Sequence, residues 1–250
     1  MKSSTFGLVL LSLLVIGLAT GPAANVASAS STSVVVQGSS NPFLSGMPNG
    51  STCCFGDSAP AQSPVLVNGI GLTAGSTITF TNVTGSTSYA GGTPTDPPDG
   101  NLGFPITTAA FEGGNQSPNN IAGFISVPVD ALTGVFLGPG LPTSNPVPAS
   151  IDFGVVGLNF STLSPLLQQT FFIGDGLTGN GSGTVQTFIV PAGATRLYLG
   201  SVDGFGWYNN TGSFNVTVNS TPAVPEPGTL LLLGTGLVGA VGLIRRKINL

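Results

Sequence analysis

The chain contains no histidine. That removes the commonest general base from any Ser-His-Asp or Cys-His nucleophilic arrangement, and the commonest nitrogen ligand from a zinc site. Basic side chains are nearly as scarce. Between residues 30 and 223 the only one is Arg196, set against Asp57, Asp96, Asp99, Glu112, Asp130, Asp152, Asp175 and Asp203, a net charge of −7. A surface of that sign repels nucleic acid, whose phosphates are neutralised by Lys and Arg, and suits cations such as calcium. Two carboxylates for glycoside hydrolysis are available by count, but no pair stands in a sequence context that suggests a raised pKa, so the reading is not an enzyme. Good helix formers are outnumbered: 38 Gly and 20 Pro, with many Ser, Thr and Asn, exclude a helical bundle and suit strands joined by turns. The two cysteines, Cys53 and Cys54, are adjacent. A bond between neighbours, a bridge to another chain and two free thiols all fit an exported protein.

Export is what the ends of the chain specify. Lys2, an apolar run from Phe6 to Ala19 and the small residues Ala27, Ser28 and Ala29 follow the order of a secretory signal peptide, with cleavage expected after Ala29. The run is shorter than the ~20 residues of a membrane-spanning helix. At the other end Pro225, Glu226 and Pro227 precede an uncharged stretch, 229–244, that stops at Arg245, Arg246 and Lys247. The prolines impose an extended entry, the stretch is apolar on every side of a helix, and the three cations favour the cytoplasmic face. This tail resembles the bacterial PEP-CTERM sorting signal. The resemblance implies an exosortase-type membrane protease as partner, transient anchoring in the inner membrane, and delivery to the cell surface or extracellular matrix of a Gram-negative bacterium. A permanent single-span anchor is the alternative.

Between the signals, residues 30–63 are rich in Ser, Gly, Pro and Asn and read as a first strand or a linker. Residues 64–219 form the body, and 220–250 the sorting segment. Val65, Val67, Ile70 and Leu72 alternate with small or polar residues, as do Ile78 and Phe80, so the two runs predict a hairpin turning at Thr73–Gly75. A Gly, Pro and Asp rich loop is expected over 84–120. Strands are expected at 122–129, 132–137, 151–160, 184–190, 194–199 and 213–218. Short strands, turn signals and no helical period indicate an all-β fold, an antiparallel β-sandwich, and the many phenylalanines argue for a packed core.

The most informative stretch is 190–218, where two alternating strands flank a loop holding Asp203, Gly204, Gly206, Trp207, Tyr208, Asn209 and Asn210. A carboxylate followed six and seven residues later by two asparagines offers three side-chain oxygens, and the glycines free the backbone to turn its carbonyls inward. Hard oxygen donors of mixed charge are what calcium takes; the plain alternative is a hairpin loop in which Asn and Gly serve turns. With the strand Gly212–Phe214 and the upstream hairpin ending at Tyr89, the stretch resembles the lectin A family of calcium-dependent galactophilic bacterial lectins. The resemblance implies a jelly-roll, galactose-binding-like sandwich. It implies calcium held by Asp203, Asn209, Asn210, the Tyr89 carbonyl and a loop carbonyl near Trp207 or Tyr208, and a carbohydrate partner, galactose-like or an exopolysaccharide, contacted by Asp99, Gly204, Asn209 and Asn210. Trp207 would offer an aromatic face to the sugar. Two departures stand out: this loop is one residue shorter than the lectin's, and there is no histidine for the lectin's sugar contact. The rival is a structural matrix or adhesion protein in which calcium only rigidifies a loop.

Overall fold

The architecture is that of a computed structural model, which describes residues 28–223. The expected signal peptide and the C-terminal helix lie outside the described residues. Among those described, no helix is long and apolar enough to cross a membrane.

Fifteen strands follow in chain order: β1 Ser30–Gln37, β2 Thr52–Cys53, β3 Asp57–Ser58, β4 Val65–Leu66, β5 Thr77–Ser88, β6 Asn101–Ile106, β7 Val127–Val129 and β8 Leu132–Leu137, then β9 Thr162–Leu163, β10 Thr170–Phe172, β11 Leu177–Gly179, β12 Ser182–Val185, β13 Thr187–Ile189, β14 Arg196–Ser201 and β15 Thr211–Thr221. They form a five-stranded sheet, β1-β15-β5-β13-β9, a four-stranded sheet, β10-β8-β14-β4, and three small ribbons. Among the described residues all pairings between these strands are antiparallel except β9 with β13, and two isolated parallel bridges, Ala122↔Gln169 and Ile125↔Asp152, lie outside them. Among the described residues, helix is confined to α1, Thr108–Phe111, α2, Phe153–Val156, and short 3₁₀ turns. The all-β expectation therefore holds, in a sandwich-like arrangement.

Alternation explains which face each strand buries. On β15, Phe214, Val216 and Val218 are buried while their neighbours are more exposed, and on β5 Ile78 and Phe80 do the same, as the period of two requires. These meet Leu197 and Leu199 of β14 and Leu132, Val135, Phe136 and Leu137 of β8 in one core. Phe80, Phe188, Phe171 and Phe136 form a continuous file of rings, each 5.2 Å from the next, which adds edge and offset contacts to area burial. β8 is buried at every position, because its sheet is covered on the outside too: the 3₁₀ turn Pro42–Leu44 packs on β8 and β14, and Phe43 sits at 5.3 Å from Phe124 and 5.8 Å from Trp207.

Several elements depart from the sequence expectation. Val65–Leu66 does not pair with Ile78 and Phe80 as a hairpin. It pairs with β14 in the other sheet, while β5 pairs with β13 and β15; both runs alternate, and alternation says nothing about partner. The expected strand at 151–160 is mostly not extended, because Asp152 caps a short helix there by accepting the Gly154 N–H at 2.8 Å. The expected loop over 84–120 contains the end of β5, all of β6 and α1. Segment 30–63 supplies β1, paired in register with β15 from Ser30↔Ser220 to Gln37↔Ser213. Cys53 and Cys54 are bonded to one another.

Candidate calcium and glycan site

The loop between β14 and β15 is held in shape mainly by backbone. Gly206 sits at φ 75°, a left-handed conformation costly for other residues, and opens the 3₁₀ turn Trp207–Asn209. Asp57, fully buried on β3, accepts the N–H of Trp207 through Oδ2 at 3.0 Å and that of Tyr208 through Oδ1 at 2.8 Å. Gly206 N–H donates to the Cys54 carbonyl at 3.2 Å. The turn is therefore braced by the 52–58 ribbon, far away in sequence.

Trp207 is not available to a ligand. Its ring is buried, its Nε1 donates to the Ser201 carbonyl at 3.0 Å, and its own carbonyl accepts the Asn210 N–H. The aromatic face that sequence assigned to Trp207 is thus part of the core, and Tyr208, by contrast, is well exposed.

Asp203 is 5% exposed; its Oδ1 accepts the Gly204 N–H at 2.6 Å, and its Oδ2 is buried without a hydrogen-bond partner. Burial pushes its carboxyl up to about 7; the Asn210 side chain and the N–H groups of Gly204 and Phe205 pull the other way, and Asp57 adds a small like-charge push. Asn210 lies beside it, yet its Nδ2 donates to the Gly38 carbonyl at 3.1 Å, and its Oδ1 is also buried and unpartnered. Two neighbouring side chains thus each bury an oxygen with nothing to satisfy it. Buried oxygens in native folds rarely stay unpaired, and a hard cation is one group that satisfies such oxygens, although among the described residues no three acidic or cysteine side chains stand together to hold a metal.

Tyr89, Asp203, Gly204 and Asn209 line one cavity of ≈ 280 Å³, walled by Phe104, Phe111 and Phe205. Four of the residues singled out in the sequence therefore converge. A Cβ at Gly204 would lie 2.8 Å from the Phe111 ring, which would have to shift to admit it. Tyr89 is positioned from below: its N–H donates to Asp130 Oδ2 at 2.9 Å, and the Asp130 carboxyl is raised by burial and then by the Asp96 carboxyl. Asp99 does not join this group. It lines a separate cavity with Leu158, Phe172 and Asn180, and Oδ1 accepts the Asp175 N–H at 3.0 Å. Sequence reasoning missed the file of rings Phe55, Phe205, Phe111, Phe104 and Tyr89, each 5.5–6.5 Å from the next. The alternation Leu102, Phe104, Ile106 was the available signal for part of it. For Asp57 the sequence carries none.

The tail is the part of the chain that comparison identifies. Residues 223–247 match the PEP-CTERM protein-sorting motif. The chain carries a PEP-CTERM sorting signal. A PEP-CTERM tail of this kind marks an exported, surface-sorted bacterial protein recognised by an exosortase. No curated protein and no solved structure is similar enough to match the chain.

Proposed function

We propose that this exported, surface-sorted protein is a calcium-dependent carbohydrate-binding module, lectin-like in use, acting on exopolysaccharide or other surface glycans. The observation that supports it is the pair of buried, unpartnered oxygens, Asp203 Oδ2 and Asn210 Oδ1, beside an aromatic-walled cavity that Asp203 and Asn209 line. Asp203 and Asn210 would hold the ion with Asn209 and the backbone carbonyls of Tyr89 and Tyr208. Bound calcium would supply positive charge for adjacent sugar hydroxyls. Phe104, Phe111 and Phe205 give the apolar CH face of a pyranose something to cover and keep water from one side of it. Asp57 and Asp130 orient the turn and Tyr89 without reaching the ligand.

The test is thermal unfolding of the mature domain in millimolar calcium and in chelator, followed by a glycan array under both conditions. Extracellular calcium modules bind at about 10⁻⁴ to 10⁻³ M, and at ten times Kd an ion that binds only the native state stabilises by about 1.4 kcal/mol. A melting temperature higher by a few degrees in calcium, with array binding lost in chelator, supports the reading. Equal melting curves remove calcium from it, and an empty array in calcium removes the glycan.

A further inference from the structure

The cavity that holds Asp99, like the one that holds Asp203, sets one buried carboxylate among apolar walls, and its lining is the more polar of the two. It encloses ≈ 260 Å³ against ≈ 280 Å³, with Leu102, Leu158 and Phe172 as apolar walls and Asn159 and Asn180 at its rim. Asp99 is 5% exposed and anchored by the Asp175 N–H. The chain makes room for it with Gly174, at φ +59°, where any Cβ would strike Asp99 Oδ1 and the Phe172 ring. A buried carboxylate accepts hydroxyl protons, rim amides both donate and accept, and aliphatic and aromatic walls cover CH groups. Together they suit a neutral polyol with one apolar face.

The two cavities are neighbours by construction. On β6, Leu102 lines the Asp99 cavity, whereas Phe104 and Ile106 line the Asp203 cavity. Leu102 and Phe104 fall where β6 bulges away from β7, between the pairs Asn101↔Val129 and Pro105↔Pro128, and two residues of chain span at most about 7 Å, a step comparable with one unit of a glycan chain. Both volumes fall below the ~300–1,000 Å³ of pockets that enclose a whole drug-sized ligand, so each has room for about one ring.

Resting on the glycan reading above, we propose that the Asp99 cavity is a second sugar subsite, contiguous along β6 with the Asp203 pocket. The ligand is then a linear oligosaccharide of two or more units and not a lone terminal sugar.

The test is calorimetry on the calcium-loaded mature domain with ladders of one to six units cut from galactan, mannan and glucan. The ladder that binds gains at least tenfold in affinity between one and three units and then levels off. Asp99→Asn and Asn180→Ala bind three units no tighter than one. Asn180 is exposed at the rim, so its variant reports on the subsite even where Asp99→Asn fails to fold. Equal affinity for one unit and for three, or either folded variant keeping the full gain, overturns the second subsite while leaving the glycan reading intact. No binding by any ladder at any length overturns both.

Discussion

Oδ2 of Asp57 accepts the backbone N–H of Trp207 at 3.0 Å across 150 residues of sequence. That bond joins the segment before the regular body to the turn on which Asn209 and Asn210 sit. Asp57 accepts two further donors, Tyr208 N–H at 2.8 Å and Asn41 Nδ2 at 3.1 Å, and it is fully buried. Asp57→Ala therefore strands three buried donors. The expected cost is about 2–4 kcal/mol, since hydrogen bonds to charged groups contribute about 1.5–3 kcal/mol each and losses within one network do not add. Urea unfolding reads that loss. Calcium titration of whatever remains folded should show affinity at least tenfold weaker, although Asp57 is not a proposed ligand. An unchanged calcium affinity would mean that the turn keeps its shape without the brace.

Acidity should stabilise the calcium-free protein. Burial raises the carboxyls of Asp57, Asp99 and Glu112 above their usual range, and that of Asp203 to about 7. A raised carboxyl binds more protons in the folded than in the unfolded state, so its stabilising effect is complete below the unfolded pKa near 3.9 and is lost as pH rises through the folded value. In chelator the melting temperature should rise on going from pH 8 to pH 5. A melting temperature that falls steadily over that interval would show these groups to be ionised at little cost.

The fold has little tolerance for trimming at its N-terminal strand. β1 is the edge strand of its sheet and pairs with β15 along its whole length, with Val36 fully buried. Ser30, the first residue after the expected cleavage point, pairs with Ser220, and β15 ends at Thr221 shortly before the sorting motif begins at residue 223. The expected cleavage point and the sorting motif thus bracket the folded body. A chain starting at Ser30 should give a cooperative unfolding transition, and one starting at Gly38 should aggregate or unfold at much lower temperature. Equal transitions would make β1 dispensable.

What was legible in the sequence was local. Alternation marked the β14 and β15 strands and most buried phenylalanines, because a period of two is set by the backbone alone. That Asp203 and Asn209 line one cavity was legible, since the spacing within the 203–210 loop is itself local, whereas Tyr89 reaches the same cavity from far away in sequence. Partnership was not legible. Val65–Leu66 and Ile78–Phe80 alternate alike yet lie in different sheets, and nothing near Asp57 announces that it braces a turn 150 residues away. Asp99 was misplaced for the same reason: its distance along the chain from Tyr89 says nothing of which cavity its carboxylate lines.

Processing should remove both tails. Intact mass of protein extracted from the surface of an exosortase-bearing host is expected to begin at Ser30 and to lack Arg245–Lys247. A chain that keeps those three cations would make the tail a permanent anchor, and one beginning at Met1 would contradict cleavage after Ala29.

Asp203→Asn separates the cost of the site from its use. In the calcium-free protein the Asp203 carboxylate is buried with an unpartnered oxygen, and the rise of its carboxyl to about 7 means that ionising it at pH 8 opposes folding. A neutral amide of the same shape keeps an acceptor for the Gly204 N–H and avoids that charge. The variant should therefore be more stable than the wild type in chelator at pH 8, by about 2–4 kcal/mol, from roughly 1.4 kcal/mol for each pKa unit. In calcium the wild type gains stability and the variant does not, because the only full charge among the proposed ligands is gone. Melting curves of the two proteins, each with calcium and with chelator, give four numbers and one interaction. A calcium response that survives in Asp203→Asn would place the ion elsewhere, whereas a variant less stable than wild type in chelator would mean that Asp203 is held by a partner of its own.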